Sequence, residues 1–156
     1  MIELDFTDFY DEIDKFTVLP GKIDELSITA FQAVYGSDAA AKAENIIYIF
    51  MSEKPVPRLV GDSRVLYIGY TTKSFRTRRY KDAKIHAESK ANSLKYSSIL
   101  KNYDAISVRV YDYKRYGNSA QEAEQQLLWW YFQNHCEYPP INYTKTKVRN
   151  DKVIVG

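Results

Sequence analysis

The sequence of 156 residues is 45% hydrophobic, 27% charged and 15% aromatic, with a net charge of +2, which predicts one globular domain with a substantial core. No apolar run approaches the ~20 residues of a membrane span, and the N-terminus lacks the pattern of a secretory signal, so we expect a cytoplasmic protein that binds no membrane. One cysteine and two histidines exclude an intrachain disulfide and a His/Cys zinc site, so any metal ion should be hard and held by oxygen.

The first segment, residues 1–43, is predicted to form irregular structure and short helices. Its apolar residues at helical spacing are Ile23, Leu26, Ala30 and Val34. The pattern changes after this segment, so we divide the chain into an N-terminal extension, 1–43, and a main domain, 44–156.

Two short segments rich in β-branched and aromatic residues follow, at residues 45–51 and 64–70. Both are predicted to be strands. Residues 52–63 between them contain two prolines and a glycine, which predict a long loop. Together the segments indicate an antiparallel hairpin.

The rest of the chain is predicted to be mainly helical. Thr72 or Ser74 can cap a helix that runs to about Lys90, and a second, short helix is predicted over 94–102. Residues 106–110 alternate between apolar and polar side chains, as in a half-buried strand. A capping box at residues 119–122 predicts a long helix that ends near residue 136. This order predicts an α+β fold: a small α/β sandwich with a mostly antiparallel, three-stranded sheet flanked by helices.

The charges are unevenly distributed. Residues 1–57 contain 4 basic and 11 acidic residues, whereas residues 71–116 contain 12 basic and 4 acidic residues. A local excess of positive charge is what a polyanion-binding surface needs. The alternative is a solvated helix face without a function.

Two strand tyrosines, Tyr48 and Tyr67, are candidates for a functional site. A lone tyrosine in a strand usually packs against the core. Here Gly69 follows Tyr67 near the strand end, where a glycine lets backbone approach a ligand closely. Thr71 and the arginine-rich start of a helix come next, and helix N-termini bind phosphate.

Glu124 is the candidate metal ligand. It shares a helix face with Leu127, Leu128 and Tyr131, so this face should point inward. A buried carboxylate is costly unless it is paired or bound to a metal ion. One carboxylate with phosphate oxygens and waters is a normal shell for Mg²⁺. The alternative is a salt-bridged glutamate at the rim of the core.

These features resemble the GIY-YIG nuclease superfamily, over roughly residues 45–143. Tyr67-Ile68-Gly69 matches the second half of the family motif. Ile46-Ile47-Tyr48 stands at the first half, with isoleucine in place of the family's glycine, and the connection between the halves is longer than usual. Glu124 fits the family's helical glutamate, and Asn142 fits the asparagine that ends its Pro-x-x-Asn-like segment.

The family also has an arginine in the helix after this motif, and the sequence leaves Arg76 and Arg78 open. Arg78 lies three residues after Phe75, whereas Arg76 lies four residues before Tyr80 and shares a helix face with it. Arg79 is a third choice.

The resemblance implies a DNA endonuclease with one Mg²⁺ or Mn²⁺ ion per active site, leaving 5′-phosphate and 3′-hydroxyl ends. Tyr48 would be the general base, with its phenolate favoured by a nearby arginine. Tyr67 would position water or phosphate, Glu124 would hold the metal ion, and Asn142 would close the site by hydrogen bonding. The catalytic candidates are Tyr48, Tyr67, Arg76, Arg78, Tyr80 and Asn142. Expected nucleic-acid contacts are Gly69, Thr71, Lys73, Arg79, His86 and Lys95.

DNA is therefore the expected partner. The resemblance also implies a homo-dimer or higher homo-oligomer, since members of the family that cut both strands often act in this form, and the sequence leaves nicking and double-strand cleavage open. Residues 1–43 are a candidate for specificity or oligomerisation, and residues 52–63 are a candidate for specificity. Two alternatives from other classes remain: a non-catalytic nucleic-acid-binding module on the same fold, and a protein-interaction domain that docks through its acidic N-terminal part.

Overall fold

A computed structural model describes residues 8–142 and Gly156. The described chain forms one antiparallel sheet with strand order β1-β4-β2-β3. The strands are β1 (Thr17–Val18), β2 (Glu44–Pro57), β3 (Asp62–Ser74) and β4 (Ile106–Asp112). The α+β class and the antiparallel sheet are as predicted, but the expectation of three strands was wrong. The fourth strand, β1, is two residues long with both side chains exposed, so it leaves no alternating pattern in the sequence.

Seven α-helices accompany the sheet in the described part of the chain. They are α1 (Phe9–Ile13), α2 (Ile28–Tyr35), α3 (Asp38–Lys42), α4 (Phe75–Arg79), α5 (Ala83–Glu88), α6 (Lys90–Tyr103) and α7 (Ala120–His135). None of these helices has the length and apolar character needed to cross a membrane.

The helix predicted after β3 is broken in the structure. Ser74 caps α4 as predicted, accepting a hydrogen bond from the Thr77 N–H. A 3-10 turn over Tyr80–Asp82 then separates α4 from α5. Ser89 has an extended backbone that ends α5 and precedes α6, and its hydroxyl accepts a hydrogen bond from the Asn92 side chain at 2.8 Å. The region predicted as one helix therefore contains α4, the turn and α5.

Strand β2 lies in the middle of the sheet and is buried on both faces, which explains its continuous apolar run. On one face, Tyr48 and Phe50 pack with α2, α4, α5 and α6. On the other face, Ile47 and Ile49 pack with α1 and α7. The sheet thus separates two hydrophobic cores, and its edge strands are β1 and β3.

The described part of the N-terminal segment belongs to both cores. Phe9 and Ile13 of α1 lie in one core, Phe31 and Val34 of α2 lie in the other, and β1 pairs with β4. The boundary proposed at residue 43 therefore does not separate two cores.

The connection at residues 52–63 is mostly strand, so the loop predicted there was wrong. Strand β2 ends at Pro57 and strand β3 begins at Asp62. Gly61, in the turn between them, has φ +67°. The turn contacts the end of α7, where the Val60 N–H donates to the carbonyl of His135 at 3.2 Å. The insertion thus extends the central hairpin.

Glu12 of α1 is a buried carboxylate that ties the N-terminal segment to the region after β4. It accepts hydrogen bonds from the Arg115 guanidinium at 2.6 and 2.7 Å, from the Tyr116 hydroxyl at 2.8 Å and from Lys15 at 2.7 Å. The hydrogen bonds from Arg115 are the largest cause that lowers the pKa of Glu12 from 4.5 to about 2.

Replacing Glu12 by glutamine should lower the free energy of unfolding by about 2 kcal/mol at pH 7, because the half-exposed Arg115 and the buried Tyr116 hydroxyl lose a charged acceptor. The folded pKa lies below the unfolded pKa, so this stabilisation is present above about pH 4.5 and is lost as the pH falls towards 2. Urea unfolding of both proteins at pH 7 and pH 3 measures this effect. An equal difference at both pH values would contradict this assignment.

Candidate active site

A groove of about 330 Å³ lies at the β3 edge of the sheet, between residues of α4 and α7. We call it the β3 groove and define it by its lining residues: Tyr48, Tyr67, Tyr70, Thr71, Thr72, Lys73, Thr77, Arg78, Lys81 and Glu124. Strands β2 and β3 supply the tyrosines, because Tyr48 pairs with Gly69 and its ring lies on the same sheet face as that of Tyr67. The groove therefore collects residues from four separate elements and the turn after α4.

Arg79 is the arginine that contacts both tyrosines. Its Nε donates to the Tyr48 hydroxyl at 2.9 Å, and its guanidinium carbon lies 5.2 Å from the ring centroids of Tyr48 and Tyr67. It also forms an ion pair with Asp82 at 3.2 Å and is only 8% exposed. Arg79, the third choice from the sequence and predicted there to contact nucleic acid, is thus the buried arginine of the site.

The other two arginines of α4 lie elsewhere. Arg78 lines the groove and is half exposed, with Asp82 at 3.5 Å. Arg76 is exposed outside the groove, and its guanidinium carbon lies 5.7 Å from the centroid of Tyr80. The shared helix face of Arg76 and Tyr80 is as predicted, but the structure does not bring this pair to the candidate site.

One sequence signal could have identified Arg79. Phe75 is fully buried, and Arg79 lies four residues later on the same helix face. The buried face of this short helix therefore carries Phe75 and Arg79, whereas Arg76 and Arg78 lie on its exposed faces.

Gly69 makes room for the tyrosine rings. A Cβ atom at this position would lie 2.6 Å from Cζ of Tyr48 and 2.7 Å from Cε1 of Tyr67. The two rings lie 6.0 Å apart at an interplanar angle of 28°. Gly69 was predicted to let a ligand approach the backbone; in the structure the tyrosine side chains occupy that space.

The pKa of Tyr48 is raised although an arginine lies beside its hydroxyl. Tyr48 is 1% exposed, and burial raises its pKa well above the usual value of 10. Arg79 acts in the opposite direction but is the smaller influence. A nearby arginine thus favours the phenolate, as predicted, but burial outweighs it, so the net shift in the pKa of Tyr48 favours the protonated phenol.

Glu124 lines the groove from α7 and is half-buried, as its inward helix face predicted. Burial raises the pKa of its carboxyl group, and a hydrogen bond from Gln125 Nε2 at 3.0 Å partly opposes this shift. A bound cation would favour the ionised form.

The groove offers a divalent cation one carboxylate. Among the described residues, no group of three or more His, Cys, Asp or Glu side chains could hold a metal ion. Mg²⁺ commonly uses one or two carboxylates together with substrate phosphate oxygens and waters. The donor set thus fits an ion that binds together with a phosphodiester.

Asn142 holds the backbone of β3 beside the groove. Its Oδ1 accepts from the Ile68 N–H at 2.9 Å, and its Nδ2 donates to the Ile68 carbonyl at 3.0 Å. Ile68 precedes Gly69 and follows Tyr67, so this amide fixes the strand that carries the site. Asn142 therefore acts as a positioning residue.

Two predicted nucleic-acid contacts lie away from the groove. His86 is buried in the core, where its Nδ1 is 2.8 Å from the Tyr35 hydroxyl, and burial lowers its pKa to about 4. Lys95 lines a different, apolar recess with Leu94 and Ile99. Lys81 lines the groove and was not singled out from the sequence, although it belongs to the basic region that the charge distribution revealed.

Comparison with protein-family models, curated proteins and solved structures finds no match for this chain. Of the residues predicted from the sequence, the structure brings together around the groove Tyr48, Tyr67, Gly69, Thr71, Lys73, Arg78, Arg79 and Glu124. The functional assignment rests on this geometry and on the motif resemblance.

Proposed function

We propose that the β3 groove is the active site of a metal-dependent phosphodiester hydrolase that acts on nucleic acid. The observation that carries this proposal is the convergence on one groove of paired tyrosines and a half-buried carboxylate, with a buried arginine bound to one of the tyrosines. More specifically, we assign the chain to the GIY-YIG type of DNA endonuclease, leaving 5′-phosphate and 3′-hydroxyl ends.

The cations at the groove suit a phosphodiester. Lys73, Arg78 and Lys81 line it, and their positive charge would attract the DNA backbone. Arg78 is half exposed, so it can turn its guanidinium to a phosphate and neutralise charge there. Buried Arg79 instead holds the Tyr48 hydroxyl and is a positioning residue.

Glu124 is the residue that would hold Mg²⁺ or Mn²⁺. When bound, the ion supplies positive charge for the leaving 3′ oxygen. Tyr67 lies beside Tyr48 and lines the groove, where its hydroxyl can hydrogen-bond to water or phosphate. Because the free protein offers one carboxylate, metal and DNA should bind cooperatively.

Tyr48 would contact the attacking water in one of two ways. As the protonated phenol, it orients the water while Arg79 donates to its oxygen. As the general base implied by the motif resemblance, it must first lose its proton, which burial opposes.

The pH dependence of cleavage separates these roles. A general base with a pKa above 10 predicts a rate that rises about tenfold per pH unit between pH 7 and 9, because the required phenolate remains a minor species. Single-turnover rates of wild type and Tyr48→Phe in Mg²⁺ measure this dependence. If the cleavage rate of Tyr48→Phe rises with pH in the same way, the group that titrates is not Tyr48.

The direct test of the function is incubation of the purified protein with supercoiled plasmid, with Mg²⁺ and with chelator. We expect nicked or linear DNA in Mg²⁺ alone. The products should be rejoined by DNA ligase without prior treatment, because ligation requires the proposed end groups. Absence of cleavage of several DNA substrates, in Mg²⁺ and in Mn²⁺, would contradict the proposal.

The second candidate is a non-catalytic nucleic-acid-binding module, which is favoured by the single carboxylate of the groove and by the deep burial of Tyr48. Such a module would use the same basic groove residues without bond cleavage. Its binding should weaken steeply with salt, because phosphate contacts release counterions, while the plasmid stays intact in every metal.

A further inference from the structure

A second recess shares Tyr67 with the β3 groove. It has a volume of about 410 Å³, within the range of ~300–1,000 Å³ typical of ligand sites. Its main lining residues are Tyr67, Gln125, Leu128, Trp129, Tyr138 and Ile141. We call it the aromatic recess.

The aromatic recess and the β3 groove meet along α7. Tyr67 lines both. Glu124 lines the groove and its neighbour Gln125 lines the recess, and their side chains are joined by a hydrogen bond of 3.0 Å. A ligand in the recess therefore lies beside the proposed scissile phosphate.

The exposed rings of the recess are suited to stacking. Trp129 is 54% exposed and Tyr138 is 50% exposed, unusually high values for such large apolar rings. Phe132 supports both rings, at 5.8 Å from Trp129 with an interplanar angle of 12° and at 5.3 Å from Tyr138. Each ring therefore contacts Phe132 and keeps about half of its surface exposed.

The two recesses divide the chemistry of a nucleotide between them. The described residues that line the aromatic recess carry no charge, whereas Lys73, Arg78 and Lys81 line the β3 groove. A nucleic-acid strand has anionic phosphates and flat neutral bases, so phosphate suits the groove and a base suits the recess.

We propose that the aromatic recess binds an unpaired nucleobase adjacent to the phosphate held in the β3 groove. This inference rests on the proposed function and specifies its substrate as a strand with at least one base outside a duplex. A fully paired base is stacked in its helix and presents no free face to Trp129.

Tryptophan fluorescence can test the proposal because the chain has two tryptophans, Trp129 and the buried Trp130. Short oligothymidylate is the probe, and chelator is present throughout so that cleavage plays no part. The Trp130→Phe variant reports on Trp129, and Trp129→Phe is the matched control that reports on Trp130. A sugar-phosphate oligomer without bases tests whether quenching needs a base.

We expect oligothymidylate to quench Trp130→Phe strongly and Trp129→Phe little, and the abasic oligomer to bind without quenching. Trp129→Ala should weaken oligothymidylate binding at least about fivefold, the lower range for loss of one stacked base. Salt-sensitive binding without quenching of Trp129 would overturn the proposal that the recess binds a base. It would leave the nuclease proposal, which plasmid cleavage tests separately. No binding to any oligomer would overturn the proposed base site, and plasmid cleavage in Mg²⁺ would still decide the nuclease proposal. A Trp129 signal that changes on dilution without DNA would overturn the proposal by indicating an interface between copies of the chain.

Discussion

Replacing Arg79 by methionine should reduce DNA cleavage at least about 100-fold while the protein stays folded. Methionine can occupy much of the same space, but it leaves the Tyr48 hydroxyl without its donor at 2.9 Å and removes the cation near both tyrosine rings. Small displacements of reacting groups can cost about 10²-fold in rate. Single-turnover cleavage measures this loss, and circular dichroism confirms the fold.

Arg76→Met is the matched control for Arg79→Met. Arg76 is an exposed residue of the same helix that contacts Tyr80 outside the groove, so its loss should change the rate by no more than about threefold. Because Arg79 acts through Tyr48, its replacement should lower kcat and leave the Kd for DNA within a few-fold. Inactivation by Arg76→Met with activity retained in Arg79→Met would contradict the assignment of the site arginine.

Gly69→Ala should destabilise the protein by about 1–3 kcal/mol and abolish most cleavage. The added Cβ would lie 2.6 Å from Cζ of Tyr48. The Tyr48 ring cannot move away easily, because it is buried and its hydroxyl is bound by Arg79. The strain therefore displaces the tyrosines from the groove.

Urea unfolding and single-turnover cleavage, compared with the wild type, measure both effects of Gly69→Ala. Asp62→Ala is the comparison on the same strand, since Asp62 is exposed, lies outside the groove and its shortening creates no clash. A Gly69→Ala protein with wild-type stability and activity would show that the close packing of the tyrosines is not needed.

The central elements could be predicted from the sequence because their patterns are strong. The runs at 45–51 and 64–70 carry β-branched and aromatic residues, and the observed strands β2 and β3 contain both. The capping box correctly predicted α7: Ser119 accepts from the Glu122 N–H at 3.1 Å. These signals placed Tyr48, Tyr67 and Glu124 on the right elements.

Other features depend on contacts that are distant in sequence. Strand β1 forms only by pairing with β4, and the clash that requires Gly69 depends on its register with Tyr48. The role of Asn142 depends likewise on Ile68, 74 residues away. No local pattern contains this information.

The choice of arginine and the pKa of Tyr48 required the three-dimensional structure. Arg76 and Arg78 each satisfied a local spacing, but the short α4 turns Arg79 inward with Phe75. The sequence reveals arginines near Tyr48 but not the burial of its ring, and burial is the larger influence on the pKa of Tyr48. The burial of Tyr48 depends on α2, α4 and α6, which pack over the sheet face that carries its ring.

The most direct test of the proposed active site compares Glu124→Gln with Glu122→Gln. Both glutamates lie on α7, but Glu122 accepts from the Asn118 N–H at 3.2 Å, a bond that glutamine can keep. The comparison measures single-turnover cleavage of plasmid DNA in Mg²⁺, with DNA binding measured in chelator.

We expect Glu122→Gln to cleave like the wild type. Glu124→Gln should be at least about 100-fold slower, because loss of a metal ligand removes several kcal/mol of transition-state stabilisation, and it should still bind DNA. Metal-dependent cleavage by Glu124→Gln at the wild-type rate would contradict the proposed active site.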